Sequence, residues 1–412
     1  MNAAQLAISA MLDACMNCRS SMGWQISIPS VQSQSGCQLC LNPISCVFVG
    51  KKTKIANPQC RTFYSRCFFA THKLMDTSIA NQMIATKKTI NNRPISEFME
   101  THFRHFNARE TVDAARQYKT MVEGGGKMLL AMAGAMSTAE LGISLAEMIR
   151  RDKVHAISCT AANLEEDVFN LVAHNDYRIC SNYRDLSPAD ETKLRDEGMN
   201  RVTDTCIPED VIRHIEGCFM DECQVLADNN DSLFPYQIFY RLFEKELLHP
   251  HFQIPLEHSW LFAAYEKGIP VLSPGFEDST LGNIFAARVM EGKIKSHAAI
   301  KSGTEQMEHL VNWYIQTDAH SPIGFFQIGG GIAGDFAICS VPLILQDLQR
   351  DIRYWQYFAQ ISDSTTSYGS YSGAVPNEKI TWHKLEAATP KFMINSDAAI
   401  IAPLIFAYVL DQ

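Results

Sequence analysis

No apolar run in this 412-residue chain reaches the ~18 residues a membrane span needs. The longest, AAIIAPLIFAYVL near the C-terminus, is shorter and contains Pro403, so it reads as a buried helix. Basic charge is also scarce. Lys and Arg total 36 against 45 Asp and Glu, a net charge of −9. That balance argues against general nucleic-acid binding, which depends on neutralising phosphates, and suits an enzyme that handles cationic substrates. With 46% hydrophobic residues the chain can bury a large core, as one big domain or two smaller ones.

Acids are nearly missing from residues 1–74. Seven basic residues (Arg19, Lys51, Lys52, Lys54, Arg61, Arg66, Lys73) face one acid, Asp13, a balance of +6 that leaves −15 for the remainder. Seven of the 13 cysteines (Cys15, Cys18, Cys37, Cys40, Cys46, Cys60, Cys67) lie here, and no helical or strand period is sustained. CMNC and CQLC form C-x2-C-x18-C-x2-C, a spacing at which four thiolates can surround one zinc. Zinc ribbons add glycine-rich knuckles and short strands, and neither is evident. A basic, acid-poor targeting segment is a second alternative. We read residues 1–74 as an extension, disordered or not native, and residues 75–412 as the catalytic domain, with Met75 its natural start.

From about residue 94 the pattern is regular. PISEFMETHFRHFNARETVDAARQYKTMVE is helical and stops at a glycine run. KMLLAMAG reads as a strand, STAELGISLAEMIRRD as a helix, VHAISCTAA as a strand and NLEEDVFNLVAH as a helix. Ser137 with Glu140, and Asn163 with Glu166, match the capping-box spacing at the two helix starts. Helices follow near 207–247, after a polar stretch at 181–201. IPVLSPG then gives a strand, and a helix begins at Asp278. Such alternation implies an α/β fold with a parallel sheet.

Gly329-Gly330-Gly331-Ile332-Ala333-Gly334 fits G-x-G-x-x-G between an apolar strand and a helix, where backbone N–H groups can hold a pyrophosphate. The next strand, WQYFAQI, is followed by Asp363, placed to bind ribose hydroxyls, although about 30 residues beyond the glycines rather than the usual ~20. NAD is the natural cofactor. Lys384, behind Trp382 and Glu378 in a segment reading as loop and strand, supplies the matching chemistry. A nicotinamide takes hydride from the carbon beside an amine, and a neutral lysine can hold the resulting imine as a Schiff base. Burial against Trp382 would favour the neutral form, Trp382 could face a polyamine chain, and Glu378 is better suited to a substrate amine.

From about residue 94 onward the chain resembles deoxyhypusine synthases, within them the prokaryotic deoxyhypusine synthase-like branch. TAANLEED, SPGFEDSTLGN, FFQIGGGIAGD, SGAVPNEKITWHKL and SDAAIIAPL carry the resemblance. It implies a Rossmann-like parallel sheet flanked by helices and a cytoplasmic homotetramer with active sites at subunit interfaces. It also implies NAD-dependent cleavage of a polyamine such as spermidine, with the aminobutyl group carried on Lys384 to an amine acceptor. Glu166, Glu378, Trp382 and Ser372 fall in the substrate pocket. Ser137, Thr138, Thr160, Ala161, Asp278, Gly329, Gly330, Gly331, Asp363, Ser364, Asp397 and Ala398 fall on cofactor positions.

Three pocket positions depart from the eukaryotic pattern. Asn283 and Tyr371 stand where aspartates are expected, and Asp335 where a histidine is expected. Two acids are lost and one is gained. The pocket is therefore re-cut, with Asp335 a replacement acid, and a small amine such as putrescine is as suitable an acceptor as a protein lysine. Alternatives are an agmatine-type variant, a simple amine dehydrogenase or an NAD-binding protein without turnover.

Overall fold

The computed structural model describes residues 94–366 and 369–412. The expectations for residues 1–74, the zinc spacing and the start at Met75 lie outside them. The described chain begins with α1 (Ile95–His102), α2 (Phe106–Glu123), β1 (Lys127–Met132), α3 (Gly142–Arg150), β2 (Ala156–Cys159) and α4 (Ala161–Ala173). Next come β3 (Arg178–Ile179), α5 (Pro188–Asp196), β4 (Met199–Val202), β5 (Thr205–Pro208), α6 (Glu209–Asp228), α7 (Pro235–Glu244) and α8 (Trp260–Lys267). The remainder is β6 (Val271–Leu272), α9 (Thr280–Met290), α10 (Gly303–Asp318), β7 (Ile323–Ile328), α11 (Gly331–Ile338), β8 (Tyr357–Ser362), α12 (Glu378–Thr381), β9 (Lys391–Asn395) and α13 (Ala398–Leu410).

Six strands form one sheet in the order β6-β2-β1-β7-β8-β9, every pair parallel. Numbered within this sheet alone, that is 3-2-1-4-5-6, the order of dinucleotide-binding folds, with the direction of winding reversing between β1 and β7. The central strands are buried and largely apolar because both faces are covered, with Gln327 and Gln360 the buried amides among them. Met128, Leu130, Met132, Phe326, Ile328, Tyr357 and Ala359 point into a larger core with α2, α3, α4 and α13. Leu129, Ala131, Ile323, Phe325 and Phe358 point the other way, into a smaller core with α10 and α11. Two-residue periodicity thus assigns alternate residues to separate cores.

Several local expectations require correction. The long first helix is two helices, broken at Phe103–His105. The helix expected from Ser137 starts at Gly142, and neither capping box forms. Ser137 is 1% exposed, donates to the Asn163 carbonyl at 2.7 Å and accepts from Trp260 Nε1 at 2.9 Å. Asn163 lies inside α4, whose N-cap is Thr160, and its amide nitrogen instead donates to the Met132, Ala133 and Gly134 carbonyls. Asp278 precedes α9, which is capped by Ser279. Trp355 makes only an isolated bridge before β8, and the polar stretch at 181–201 contains α5 and part of a three-stranded antiparallel sheet. AAIIAPLIFAYVL is a helix, α13, with Pro403 inside it. Among the described residues no helix is long and apolar enough to cross a membrane.

Candidate active site

The turn after β7 is dictated by its glycines. Gly329 and Gly331 have φ of 76° and 66°, and a Cβ on Gly330 would lie 1.9 Å from Ser372 Oγ. The Gly331 N–H donates to Ser372 Oγ at 3.2 Å, and a Cβ on Gly331 would enter open space. Behind the turn, Gln327 and Gln360 each donate to the Gly329 carbonyl at 3.0 Å. Gln360 also donates to the Ser372 carbonyl at 3.0 Å, while Gln327 accepts from the Tyr371 hydroxyl at 2.9 Å. Two buried amides therefore join the glycine turn to residues 371–372. An open backbone at a helix start, on the carboxyl edge of the sheet and beside the winding reversal, fits an anionic nucleotide.

Seven further cofactor candidates follow other strands on the same edge. Thr160 caps α4 and donates to the Gly134 carbonyl at 2.7 Å, with Ala161 buried next to it. Asp278 is exposed before α9, and Asp363 is exposed just past β8 with Ser364 half-buried beside it. Asp397 caps α13, accepting from the Ala399 N–H at 2.8 Å, and Ala398 is its first residue. Asp397 and Thr138 line a cavity of about 800 Å³ with residues of the small sheet. Ser137 is turned inward and held by Trp260, so its hydroxyl supports the protein core.

α4 places three acids side by side in a helix buried at every residue except Ala162. Buried carboxylates need partners. Glu165 accepts from the Thr280 and Leu281 N–H groups at 3.0 and 2.9 Å, at the start of α9. Asp167 accepts from the Ser259 hydroxyl and the Trp260 and Leu261 N–H groups, at the start of α8. Both acids complement helix N-termini. Burial still pushes Glu165 up and Asp167 up to about 6. Glu166 differs: among the described residues its partner is Thr138, through the hydroxyl and the backbone, and not a helix start. Burial, with the Glu165 charge a smaller contribution, raises it to about 7.

Lys384 is 7% exposed, and its Nζ donates to Asp335 Oδ1 at 3.1 Å. The Tyr371 ring lies 5.4 Å from that nitrogen and the Trp382 ring 5.9 Å. Asp335 and Tyr371, with Gly331, Ile332, Phe336 and Cys339, line an open pocket of about 530 Å³. An amine, a carboxylate in hydrogen-bond contact with it and an aromatic wall therefore meet beside the glycine turn. A model of the deoxyhypusine synthase domain matches residues 95–409, about three quarters of the chain. The chain belongs to the deoxyhypusine synthase family. It is 26% identical over 328 residues to a deoxyhypusine synthase-like protein from Nostoc sp., covering 77% of this chain and 82% of that one. To a namesake from Thermosynechococcus vestitus it is 28% identical over 340 residues, covering 78% and 79%. The chemistry of the family is aminobutyl transfer.

Against that family pattern the structure separates the pocket candidates. Lys384, Asp335 and Tyr371 come together, and Ser372 joins them to the glycines. Trp382 is 68% exposed, whereas Lys384, between its ring and that of Tyr371, is buried. Glu378 is exposed at the start of α12. Asn283 is exposed, and its amide donates to the Glu277 and Ser279 carbonyls at 2.7 and 2.8 Å. An aspartate there would turn oxygens towards those carbonyls, which explains the amide. Gln327, Gln360 and Lys379 escaped the sequence reading because each is an isolated polar residue in an apolar or loop pattern.

Proposed function

We propose that this family member is an NAD-dependent transferase that oxidises a polyamine, carries the aminobutyl fragment as an imine on Lys384, and delivers it to an amine acceptor. Buried Lys384, paired with the half-exposed Asp335 beside the glycine turn, carries this reading. The glycine turn with Thr160, Asp278, Asp363, Ser364 and Asp397 would hold NAD, which when bound would accept hydride from the carbon next to a substrate amine and return it to the imine formed with the acceptor. Lys384 Nζ gives its proton to Asp335 and adds to the substrate imine carbon. The bond from that carbon to the departing amine then breaks, and the departing nitrogen takes up the proton. Glu166, Glu378 and Trp382 would bind the ammonium groups and methylene chain of the polyamine. The acceptor is a small amine or a protein lysine.

Exposed Ile332, which lines the pocket, and Trp382, whose ring lies near Lys384, at 52% and 68%, leave apolar surface beside the site suited to another subunit, as in a homotetramer with interfacial sites. The domain is taken to begin near Met75, and the protein to work in the cytoplasm. Lys384→Arg keeps the charge but offers no accessible neutral amine. It should abolish aminobutyl transfer while changing NAD affinity less than about twofold. Borohydride added during turnover should attach a substrate fragment to the Lys384 peptide of the parent protein, read by mass spectrometry. Full transfer by the arginine variant, with no adduct in the parent, would refute the reading.

A further inference from the structure

The candidate site contains a second lysine that the proposed reaction does not use. Lys379 lies in α12, five residues before Lys384, and is 3% exposed. Its Nζ is enclosed and, among the described residues, has no hydrogen-bond partner. It stands over two rings, 4.8 Å from the centroid of Phe358 and 4.9 Å from that of Tyr371. Tyr371 is also the ring against Lys384, at 5.4 Å. The two nitrogens are thus no farther apart than the sum of their distances to one centroid. The backbone fixes this arrangement, because the Lys384 N–H donates to the Lys379 carbonyl at 3.0 Å. The Tyr371 ring cannot easily turn aside, because its hydroxyl is held by Gln327.

A lysine is almost never fully buried without a paired anion. An aromatic enclosure offsets part of that cost through cation–π attraction, but leaves the charge uncompensated. We propose that Lys379 is a positioning residue for the Lys384 amine: its unpaired charge behind the shared Tyr371 wall opposes a second charge at Lys384, so that Lys384 yields its proton to Asp335 and presents a neutral nucleophile. This rests on the assignment of Lys384 as the covalent carrier. Cationic neighbours are a general means of activating lysine for imine formation.

Other groups around the pair fit the same reading. Asp335 and Cys339, from α11 and the turn after it, face Lys384, and Cys339 Sγ lies 3.7 Å from Asp335 Oδ1. The remaining neighbours are Tyr371, Trp382 and, on the side of Lys379, Phe358 and the exposed Glu378. Asp335 is thus the carboxylate in direct contact with Lys384, and its side chain is half exposed, where a substrate ammonium can compete for it. Burial, with the charge of Lys384 second, brings Lys379 down to about 8. Its charge is therefore largely present at neutral pH and absent at high pH.

The test uses the full chain without added cofactor, with butanal as the probe and borohydride to trap the imine. Adduct on the Lys384 peptide is measured by mass spectrometry from about pH 6 to 10.5 in the parent, Lys379→Met, Lys379→Leu and Lys379→Arg. Both apolar variants suit an aromatic enclosure, so either one suffices if the other does not fold. Removing the charge should slow trapping about tenfold near pH 7.5, the ratio for one pH unit, with parental rates above about pH 10. The arginine variant should retain the parental profile. Parental rates at pH 7.5 in the apolar variants, an equal loss at every pH, or a primary adduct on Lys379 would overturn the positioning role alone. A parent that forms no adduct on Lys384 would overturn it together with the carrier assignment.

Discussion

Glu166→Gln isolates the one acid of α4 that is not engaged with a helix start. Glu166 moves from its usual 4.5 to about 7 on folding, chiefly because burial disfavours the charged form. The folded value lies above the unfolded one, so the folded chain keeps a proton that the unfolded chain has released. The resulting stabilisation is complete below about pH 4.5 and is lost as pH rises through about 7. The displacement corresponds to about 3 kcal/mol. Glutamine preserves the shape and can still bond the Thr138 hydroxyl, but does not titrate. Urea denaturation of parent and variant at about pH 4.5, 6 and 8 measures the difference directly. Asp167, raised to about 6, titrates in both proteins and largely cancels. The variant should match the parent near pH 4.5 and exceed it by roughly 2–3 kcal/mol at pH 8. A difference that stays constant across this range would show that Glu166 titrates in the folded chain as it does in the unfolded one, and the argument from burial would fail.

Gly330→Ala should reduce stability by about 2–3 kcal/mol and weaken NAD binding more than tenfold, because the new methyl meets Ser372 at 1.9 Å. Adding Ser372→Gly removes the nearest obstructing atom and should recover part of both; denaturation and NAD titration read the two effects, and an alanine variant equal to the parent would refute the close packing. A chain that begins at Met75 should keep its melting temperature within about 2 °C and its NAD affinity unchanged, since residues 1–74 share neither charge balance nor period with the rest. Thermal melting and NAD titration check this, and an insoluble truncation would place those residues within the domain.

The sheet was readable from sequence because strands buried on both faces leave apolar runs, such as MLLAM after Lys127, and because a glycine turn is a local requirement. The capping boxes misled because spacing alone cannot reveal distant competitors. Ser137 meets Trp260, 123 positions away, and Asn163 reaches back to three carbonyls after β1. The small sheet was missed because its strands have two to four residues and β3 and β4 are incompletely buried, giving little alternation to detect. In the candidate site, Lys384 and Gly330 stand in motifs whose chemistry is local. Lys379, Gln327 and Gln360 acquire meaning only from rings and carbonyls supplied by other strands.

The sheet that sorts alternate residues into two cores also divides the protein's tolerance of change. Leu129 and Leu130 are chain neighbours, yet each packs with a different community of side chains. Strain from a poorly fitting residue spreads through direct contacts, and distant sites respond nearly independently. The smaller core includes Ala337, Ile338 and Leu385, with Tyr371 and Ile380 at its margin, directly beneath Lys384. Substitutions that reshape the proposed amine pocket therefore draw on this compartment and leave the packing of α2, α3 and α13 intact. A lineage could retune its choice of amine on one side of the sheet while the other side keeps the fold.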